Sequence, residues 1–572
     1  MLLALLVYLP SYGGPFFWDD QTLIVANKQL ATPGGIFDIW FKPGALAEYY
    51  PLTHTTYWLE ARFGLLQPVP MRVVNVLLLG VTAWLLYRLA ARLQWKAPWF
   101  GAALVVLHPV HVESVAWISQ RKTVLSGLFV VLAVGAWVAY RESGTRKTYV
   151  AALAWFVAAL LAKTQAIVVL PGLLLLDWYR FGRIDRAAWR ASVPFFAIGG
   201  FLALVTRSME QRFQPSTSLA AKSFVDKIAD TGSAPWHYVG KLLAPVNCTL
   251  VYPWPSIGLL GLLWVVVVAL LYIFRARLGR GPFAVGAYFV VALAPVLGLI
   301  YFPYMSFSLV ADRFQYYADL AALPAIAALG AIVTARVPSI ARVGVASLAA
   351  LVSGALSLNQ AGIYSDEANL WQTIAERNPK AWVALESMGN LAAEQGHQAE
   401  AMEAYRKAFA ISSDSVASGI AIAESLSAEK KDQEALAIYA QLEKEQAQEP
   451  AVFASLGIFH LEREQYAQAA AAFEKGLAVD PNLRSIVMNY ATMLVTAKDG
   501  SQRNPKLAVE IAQRLDRSGA EPIDLYCLAS VYRDAGDAAK ARETFERALS
   551  LAEEKQDFET EGRIREALNA LK

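Results

Sequence analysis

The sequence predicts an all-α protein in which a polytopic membrane domain is followed by a soluble helical solenoid. Apolar residues make up 56% of the 572 positions and charged residues only 17%, and they are unevenly distributed. Up to about Asn359, apolar runs alternate with short basic or aromatic loops, whereas beyond Tyr364 the chain is rich in Ala, Glu, Gln and Lys. The second composition is typical of soluble helices. A regular sequence period in the same part predicts stacked helix pairs, so we divide the chain into domains 1–362 and 363–572.

The first domain contains many stretches of near-spanning length. A helix needs about 20 predominantly apolar residues to cross a bilayer. Ten stretches approach this length: 71–93, 97–113, 123–140, 148–163, 166–179, 191–207, 256–274, 281–302, 318–336 and 340–360. The opening segment 1–10 is too short for a span and lacks the basic start of a signal peptide, so we interpret it as the end of a first span. The sequence thus predicts about eleven spans.

Basic clusters lie in every second loop between the predicted spans. Loops rich in Lys and Arg stay on the cytoplasmic side of a membrane. The clusters are Arg88, Arg92 and Lys96; Arg141, Arg146 and Lys147; Arg180, Arg183, Arg186 and Arg190; Arg275, Arg277 and Arg280; and Arg336 and Arg342. The other loops are then extracytoplasmic, namely 11–70, about 108–122, the neighbourhood of Lys163, 207–255, 303–317 and everything after about 360.

Small and aromatic residues recur through the tail with a period of about 34 residues, the length of a tetratricopeptide repeat (TPR). Ala401, Ala435 and Ala469 follow one another at this period, as do Tyr405, Tyr439 and Phe473, and Gly389 and Gly457 lie two periods apart. Ala541 lies two periods and four positions beyond Ala469, and the insertion fits the polar stretch 498–505. The pattern resembles the TPR, whose stacked helix pairs present a concave binding surface. We expect about five repeats over roughly 380–555, although the pattern alone also fits a solenoid without a ligand.

Charge and cysteine content exclude two classes of protein. The formal net charge is +3, but the Arg and Lys residues of the membrane domain lie in short loops between spans, so we expect no nucleic-acid partner. Cys248 and Cys527 are the two cysteines and lie in different domains, which does not support a disulfide framework.

Two adjacent carboxylates, Asp19 and Asp20, follow the first apolar stretch. Acidic residues at a membrane exit are energetically unfavourable unless they face a hydrated cavity or take part in chemistry. A pair of carboxylates can act as a general base and as its hydrogen-bonding or metal-binding partner. We therefore predict that Asp19 and Asp20 are catalytic.

Basic residues in the other extracytoplasmic loops suit a phosphate group, Arg by bidentate bonding and Lys as a point charge. The candidates are Arg121, Lys122, Lys163 and Arg313. A base and several cations beside a bilayer suggest a reaction whose leaving group is a lipid-linked phosphate.

Further polar residues on this side could contact a donor or an acceptor. They are His54, His108, His111, Glu113 and His237. His108 and His111 are spaced as metal ligands could be, but no third ligand is obvious, so we assign no metal site and leave a divalent cofactor open. Asn27, Lys28 and Glu60 fit ordinary interfacial positions.

Several segments resemble, in order, the signatures of the transmembrane-and-TPR protein O-mannosyltransferases, a family of GT-C glycosyltransferases. These segments are FFWDDQTLIVANKQL, HPVHVESVAWISQRKTVLSGLF, AKTQAIVVL, KLLAPVNCTLVY and ADRFQYYADLAALP. The resemblance implies a GT-C membrane fold and transfer of a sugar from a polyprenyl-phosphate donor to a hydroxyl on the extracytoplasmic side. It also implies that the first carboxylate, Asp19, is the base and that Arg313 binds the donor phosphate.

The chain departs from this family in two motifs. SQRKT stands where the family has a GRAD-like sequence, and AKTQA replaces a KEQG-like motif, so an acid is missing from each. Mannose specificity and a cadherin-like acceptor are therefore not carried over. The compact tail suggests a bacterial member at the inner membrane, with the active site and the TPRs in the periplasm. The TPRs would recruit a protein acceptor.

Two other functions fit the same pattern less well. The first is a glycosyltransferase that acts on a lipid or an envelope glycan. The second is a non-enzymatic membrane scaffold or transporter whose TPRs bind partners; a transporter would show broken spans in matching halves, which the sequence lacks.

Overall fold

The computed structural model describes residues 1–210, 223–254, 257–298, 302–517 and 520–571, and all regular structure in these ranges is helical. The chain divides into two compact units, Met1–Ala384 and Leu385–Lys572. The division lies beyond the boundary predicted from composition, because one helix after residue 362 packs with the membrane domain.

The first unit combines long apolar helices with short ones in the loops between them. Its α-helices are α1 Leu2–Val7, α2 Lys28–Ala31, α3 Gly35–Phe41, α4 Pro51–Arg62, α5 Pro68–Arg92, α6 Pro98–Leu107, α7 Val112–Ala116, α8 Arg121–Ser143, α9 Arg146–Ala162, α10 Val169–Phe181, α11 Arg186–Glu210, α12 Phe224–Leu243, α13 Leu263–Ile273, α14 Arg275–Leu278, α15 Gly281–Leu293, α16 Tyr316–Val333, α17 Ser339–Gly362 and α18 Glu367–Arg377. Single 3₁₀ and π turns connect several of them.

Five described helical segments are long and apolar enough to cross a membrane. They are Pro68–Arg92, Ile118–Ser143, Arg186–Ser208, Asp312–Arg336 and Ser339–Ser365. A sixth span forms if α6 and the segment Pro109–Ala116, which meet at a bend of 52°, are counted together. The protein is therefore a multi-pass membrane protein, but the predicted eleven spans are not supported.

The missing spans have local causes. The stretch 148–163 belongs to a helix of 17 residues, α9, which ends where Lys163 adopts an extended backbone. The next stretch is divided between a 3₁₀ turn, Thr164–Val168, and the 13-residue helix α10. The stretches 256–274 and 281–302 contain α13 and α15, of 11 and 13 residues. Apolar composition alone does not reveal such breaks.

Three of the loops predicted to be cytoplasmic are joined by ion pairs at one end of the first unit. Arg92 and Arg180 both pair with Glu142, at 2.6 and 2.5 Å, and Arg141 pairs with Asp185 at 2.8 Å. Helix α8 begins at Arg121, among the loops predicted to be extracytoplasmic, and its 23 residues span about 34 Å to this cluster. The two sets of loops therefore lie at opposite ends of α8.

The first loop forms a small apolar core of its own. Leu23, Ile24, Leu30 and Ile39 pack with Tyr57 of α4 and with Met71 and Ile118. The loop is thus a folded structure that rests on α4 and on the start of α5, and it holds the segment 14–20 in place.

The described residues of the tail, from Trp382 onward, form five helix pairs and a final helix. The helices are α19 Trp382–Glu394, α20 Gln398–Ile411, α21 Val416–Ala428, α22 Asp432–Glu445, α23 Pro450–Glu462, α24 Tyr466–Val479, α25 Arg484–Thr496, α26 Pro505–Ala512, α27 Pro522–Asp534, α28 Ala538–Lys555 and α29 Phe558–Ala570. The first helices of successive pairs begin one repeat period apart, except for the last step, which contains the insertion. This insertion lies between α25 and α26, where the sequence predicted it.

The repeating glycines lie where the two helices of a pair cross. A Cβ atom at Gly457 would overlap the ring of Phe473, and a Cβ atom at Gly389 would overlap the ring of Tyr405. Ala469, which is fully buried, occupies the equivalent close position on the second helix. Close packing of a small residue against an aromatic ring explains why both recur with the repeat.

Candidate active site

The segment that carries the acidic pair is held by a buried arginine, Arg72 of α5. Its guanidinium donates to the backbone carbonyls of Pro15 (2.7 Å) and Ala116 (2.9 Å) and to that of Gly14. Arg72 has no exposed surface, so these carbonyls replace the water that it loses. The residue thereby joins the first loop to the second. Its signal in the sequence, an arginine at the start of an apolar span, does not by itself indicate this role.

Trp18 adopts the left-handed backbone conformation, with φ of +49°, immediately before the acidic pair. Such a conformation is strained for a bulky residue and persists only where the surroundings fix it. The indole stacks on Trp117, with ring centroids 5.4 Å apart and planes at 6°, and meets Phe307 and Trp371 edge-on at 5.3 and 5.6 Å. The aromatic packing therefore stabilises the turn that directs Asp19 and Asp20 to different surroundings.

Asp20 is buried and anchors the loop. Its Oδ1 accepts the backbone N–H of Ser119 at 2.8 Å, and its Oδ2 accepts that of Phe17 at 3.4 Å. Burial raises the pKa of Asp20 to about 7, against the lowering effect of the two N–H donors and of Arg72. Both oxygens are engaged by the protein, which fits a positioning residue.

Asp19 is half-buried, and its carboxylate makes no hydrogen bond to the residues that the structure describes. Burial raises its pKa above the ordinary value; Lys122 and Arg313 act in the opposite direction, and Glu48 adds to the rise. Asp19 is thus a carboxylate without a protein donor in the vicinity of two cations. A carboxylate with a raised pKa and free lone pairs suits a general base.

Lys122 lies at the start of α8 and pairs with Glu48 of the first loop. Its ammonium also lies 5.7 Å from the ring centre of Tyr50. Burial alone would raise the pKa of Glu48, but the neighbouring Lys122 outweighs it and lowers that pKa. The prediction missed Glu48, although an acid beside two tyrosines, in the segment AEYYP, is an unusual feature for a loop of this kind.

Lys163 follows the end of α9 and is buried. Its ammonium donates to the hydroxyl of Thr123 at 2.9 Å. Thr123 is the residue that follows Lys122 in α8. In the same region, the Thr53 hydroxyl of α4 donates to the carbonyl of Ala162 at 2.9 Å. The hydrogen bonds thus bring Lys163 to the first turn of α8 and to α4.

Arg313 occupies the 3₁₀ turn before α16 and pairs with Glu113. The same carboxylate accepts the backbone N–H of Arg313 at 3.1 Å. The guanidinium carbon lies 3.8 Å from the ring centre of Tyr304 and 5.1 Å from that of Trp117, the ring on which Trp18 stacks. Arg313 is therefore fixed beside the turn that carries Asp19.

Arg121 has a different environment from its neighbour Lys122. It is fully buried and donates to the side chains of Asn75 (2.9 Å) and Glu60 (2.6 Å) and to the carbonyl of Met71 (2.8 Å). A further hydrogen bond reaches Thr56 at 3.2 Å. These contacts fit a structural role better than the predicted role in phosphate binding. Glu60, interpreted from the sequence as interfacial, is the partner of Arg121.

The predicted histidines lie in separate places. His54 is close to the site, since Glu48 and Lys122 act on it electrostatically, and burial lowers its pKa to about 4. Its Nδ1 lies 3.3 Å from the amide of Asn27. His108 and His111 are held by the backbone carbonyls of Leu242 and Val105, at 3.1 and 2.7 Å.

His237 packs edge-on against Tyr252, with ring centroids 4.5 Å apart, and has no described contact to the acidic pair. Within the described ranges, no three His, Cys, Asp or Glu side chains come together as a metal site would require.

Known proteins are similar to this chain in two ways, through a repeat family that matches the tail and through relatives that match part of the chain. The tetratricopeptide repeat family model matches residues 384–415 and 525–555, which confirms that the tail contains TPRs. Protein O-mannosyl-transferase TMTC4 of Mus musculus is 30% identical over 221 residues, or 32% of this chain and 29% of the relative. Protein O-mannosyl-transferase F38B6.6 of Caenorhabditis elegans is 25% identical over 281 residues, or 46% and 40% of the two chains.

The human TMTC4 protein O-mannosyl-transferase is 32% identical over 202 residues, which cover 29% of this chain and 27% of the relative. The matches thus span between 27% and 40% of the length of these three relatives. The chain is distantly homologous to protein O-mannosyl-transferases over part of its length, and its tail contains TPRs.

Proposed function

We propose that the protein transfers a sugar from a polyprenyl-phosphate-linked donor to a hydroxyl group of a protein acceptor at the extracytoplasmic face of the membrane. The observation that carries this proposal is the placement of Asp19. Its carboxylate has no described hydrogen-bond donor, its pKa is raised by burial, and Lys122 and Arg313 act on it electrostatically. A base next to phosphate-binding cations suits transfer from a lipid phosphate.

In the proposed reaction, Asp19 accepts the proton of the acceptor hydroxyl while the hydroxyl oxygen attacks the anomeric carbon of the sugar. The bond from this carbon to the phosphate oxygen breaks, and the bonding electrons leave with the polyprenyl phosphate. Direct displacement inverts the anomeric centre. Cations preorganised around the leaving oxygen stabilise the charge that develops on it.

The assignment of the base to Asp19 and not to Asp20 follows from their hydrogen bonds. Both oxygens of Asp20 accept backbone N–H groups of the first and second loops. Asp20 would therefore hold the turn that presents Asp19, and we assign it a positioning role.

The donor phosphate would be held by Lys122, Lys163 and Arg313. Lys122 and Arg313 each have one carboxylate partner, Glu48 and Glu113 respectively, and Lys163 has the Thr123 hydroxyl. The two carboxylates orient the cations and limit the net positive charge before the donor binds. In this arrangement, Arg121 serves the fold and not the phosphate.

A protein acceptor is supported by the TPRs and by the names of the distant relatives, which are protein O-mannosyl-transferases. Stacked helix pairs present a concave surface that suits an extended polypeptide. The basic loops at the opposite end of α8 support an extracytoplasmic location for Asp19 and for the tail. We place the protein in the inner membrane of a bacterium, with both parts in the periplasm.

The proposal is tested by mass spectrometry of extracytoplasmic proteins and envelope lipids from deletion cells. These cells carry either the wild-type gene or the Asp19→Asn variant. We expect a sugar on at least one periplasmic protein that the wild-type gene restores and the variant does not. A glycan change confined to lipids would favour the lipid or envelope-glycan acceptor. Identical proteins and lipids in all strains would favour a scaffold and overturn the proposal.

A further inference from the structure

The basic end of the first unit contains an open cavity of about 840 Å³. It lies at the carboxyl end of α8. The length of this helix, about 34 Å, separates the cavity from the first turn of α8. Its polar lining comes from Arg92, Glu142, Arg180, Arg275 and Arg280, together with Gln94 and Tyr179. These residues belong to the ends of four helices and to the turn before α15, so the cavity is formed by the tertiary fold.

The charges of this lining are strongly unbalanced. Arg92 and Arg180 share the single described carboxylate, that of Glu142, at 2.6 and 2.5 Å. Arg275 and Arg280 make no ion pair with residues in the described ranges. Four guanidinium groups therefore face one carboxylate, which favours binding of an anion.

Two of the arginines are fixed by the backbone rather than by an acid. Arg275 stacks on Tyr272, with its guanidinium carbon 4.0 Å from the ring centre, and donates to the Tyr272 carbonyl at 2.7 Å. Arg280 packs against Gly182, where a Cβ atom would lie 2.5 Å from its Nη2. Gly182 caps the end of α10 with φ of +75°. Any other residue there would strain the backbone, and its Cβ atom would clash with the guanidinium of Arg280.

Arg180 adds an unsatisfied donor. Its Nη1 is buried and has no hydrogen-bond partner in the part of the chain that the structure describes. A buried guanidinium nitrogen without a partner is unfavourable, since buried polar groups are normally hydrogen-bonded. A phosphate in the cavity would supply acceptor oxygens at the separation that guanidinium groups prefer.

An exposed apolar helix, α13, lies beside this basic lining. Helix α13, which leads directly to Arg275, has no buried residue, and most of its valine, leucine and isoleucine side chains are exposed. Exposed residues on it and just after it are Leu263, Val265, Val266, Val267, Leu270, Ile273 and Phe274. Trp178 and Tyr272, with ring centroids 6.1 Å apart, lie near the arginines as aromatic residues do at a membrane interface.

We propose that this cavity binds the phosphate of an anionic glycerophospholipid, with the acyl chains along α13. Basic pockets between membrane helices select anionic headgroups in this way. A zwitterionic lipid carries a phosphate too, but its positive headgroup would meet the arginines unfavourably. The proposal concerns the end of the unit opposite Asp19 and does not rest on the proposed sugar transfer.

The test uses the full-length protein in nanodiscs of phosphatidylcholine with one fifth phosphatidylglycerol, and counts the lipids retained in native mass spectrometry. The test variant is Arg275→Gln/Arg280→Gln, which leaves the pairs of Glu142 intact. The matched control is Arg336→Gln/Arg342→Gln, which removes an exposed charge from the loop between α16 and α17 and a partly exposed one from the first turn of α17. A third variant, Arg275→Lys/Arg280→Lys, keeps both charges.

We expect the wild type and the control to retain phosphatidylglycerol in preference to phosphatidylcholine. Retention should fall by about tenfold or more in the glutamine variant, since each basic residue near a membrane surface strengthens anionic lipid binding by about fivefold. The lysine variant should recover most of it. Equal retention by the wild type and the glutamine variant would overturn the proposal.

A second arm separates a lipid from a soluble phosphate. Glycerol 3-phosphate at millimolar concentration, added to the wild type in phosphatidylcholine alone, should not bind detectably without acyl chains. If it binds there, and also displaces phosphatidylglycerol from the mixed nanodiscs with equal affinity, the site takes a soluble phosphate and the lipid assignment is wrong. A glutamine variant that unfolds while the lysine variant binds normally would still support the charge requirement.

Discussion

Asp19 and Asp20 are adjacent in the chain, but their side chains have different surroundings. Asp20 accepts two backbone N–H groups, whereas Asp19 has none among the described contacts and is influenced by two cations. The same contrast holds for Arg121, which is enclosed by hydrogen bonds, and Lys122, which has one carboxylate partner. At the scale of single residues, we therefore base the proposed role of each residue on the contacts of its side chain and not on its residue type.

The neighbours Arg121 and Lys122 provide a matched test. Arg121→Ala removes four hydrogen bonds and leaves Glu60 mostly buried without its partner, so we predict a loss of stability of about 3–5 kcal/mol. Lys122→Ala should leave the fold intact, because Glu48 remains partly exposed to water. It should weaken donor binding by about tenfold or more, since a charge-assisted contact to phosphate contributes about 1.5–3 kcal/mol. Thermal unfolding and donor titration in detergent separate the two effects.

A stable Arg121→Ala variant with weak donor binding would reverse the two roles. Unchanged donor affinity in Lys122→Ala would transfer the phosphate contact to Lys163 or Arg313. Either outcome leaves Asp19 untested, so the two assignments can fail separately.

Asp20 predicts how stability depends on pH. Burial raises the pKa of Asp20 from 3.8 to about 7 in the folded protein, so between these values the folded state binds more protons than the unfolded chain. Stability from this group is complete below about pH 4 and is lost as pH rises toward 7. Asp20→Asn should flatten the decrease in unfolding temperature between pH 5 and 8, while the control Asp38→Asn, which changes a partly exposed carboxylate of α3, should keep the wild-type slope. Equal slopes in all three proteins would contradict the burial of an ionisable group at this position.

The residues of the candidate site were predictable to different degrees. Asp19, Lys122, Lys163 and Arg313 could be proposed as site residues from the sequence, because an isolated charge beside an apolar stretch is conspicuous there. Glu48 and Arg72 were missed, because what makes them notable is the partner that each meets in space. Arg121 was placed with the phosphate ligands, since nothing in the motif shows that Asn75 and Glu60 enclose it.

At the scale of elements, helix α18 belongs to the membrane unit, although its composition resembles the tail. Trp371 of this helix packs edge-on against Trp18, and Arg377 pairs with the side chain of Gln360 at 3.0 Å. Asn378, one residue after the helix, donates to the carbonyl of Val251 at 3.3 Å. The helix therefore forms part of the support for the turn that carries Asp19.

This placement determines where the tail can be removed. A chain that ends after residue 384 keeps Trp371 and should bind the donor normally, but it should lose transfer to protein because the TPRs are absent. A chain that ends after residue 365 exposes Trp18 and should lose donor binding as well. Binding of a labelled donor and transfer to periplasmic protein are measured for both truncations.

Normal donor binding by the chain that ends after residue 365 would show that α18 does not support the site. Unchanged protein glycosylation by the chain that ends after residue 384 would show that the TPRs serve another purpose.

The helices were predictable where the sequence shows a repeat period or an insertion into it. The repeat period placed the helix pairs of the tail and the insertion between α25 and α26, since small and aromatic residues must meet at each crossing. The membrane helices have no comparable repeat. The break at Lys163 has no signal in the hydropathy of the sequence. The bend of 52° coincides with Pro109, which the sequence does show, because the residue before a proline disfavours the helical conformation.

At the scale of the whole molecule, the two ends of α8 divide the charges of the membrane unit. The end that begins with Arg121 and Lys122 carries the candidate site, and the end that includes Arg141 and Glu142 carries the basic loops. Basic loops favour the cytoplasmic side, so the candidate site should face away from it.

Reporter fusions test this orientation. Alkaline phosphatase joined to the carboxyl terminus should be active, and green fluorescent protein joined there should be dark, because the first needs the periplasm and the second does not fluoresce after export through the membrane unfolded. The same pair inserted in the loop between α10 and α11 should give the opposite result. A fluorescent carboxyl terminus would place the tail in the cytoplasm.

The central claim, that Asp19 is the base of a sugar transfer, is tested most directly by single-turnover transfer with purified protein and a polyprenyl-phosphate sugar. Asp19→Asn keeps the size of the side chain but cannot accept the proton as a carboxylate does. The rate should fall by about 10²–10⁴-fold, with the donor dissociation constant unchanged within about twofold. A correctly folded Asp19→Asn protein that transfers sugar at the wild-type rate would contradict the assignment.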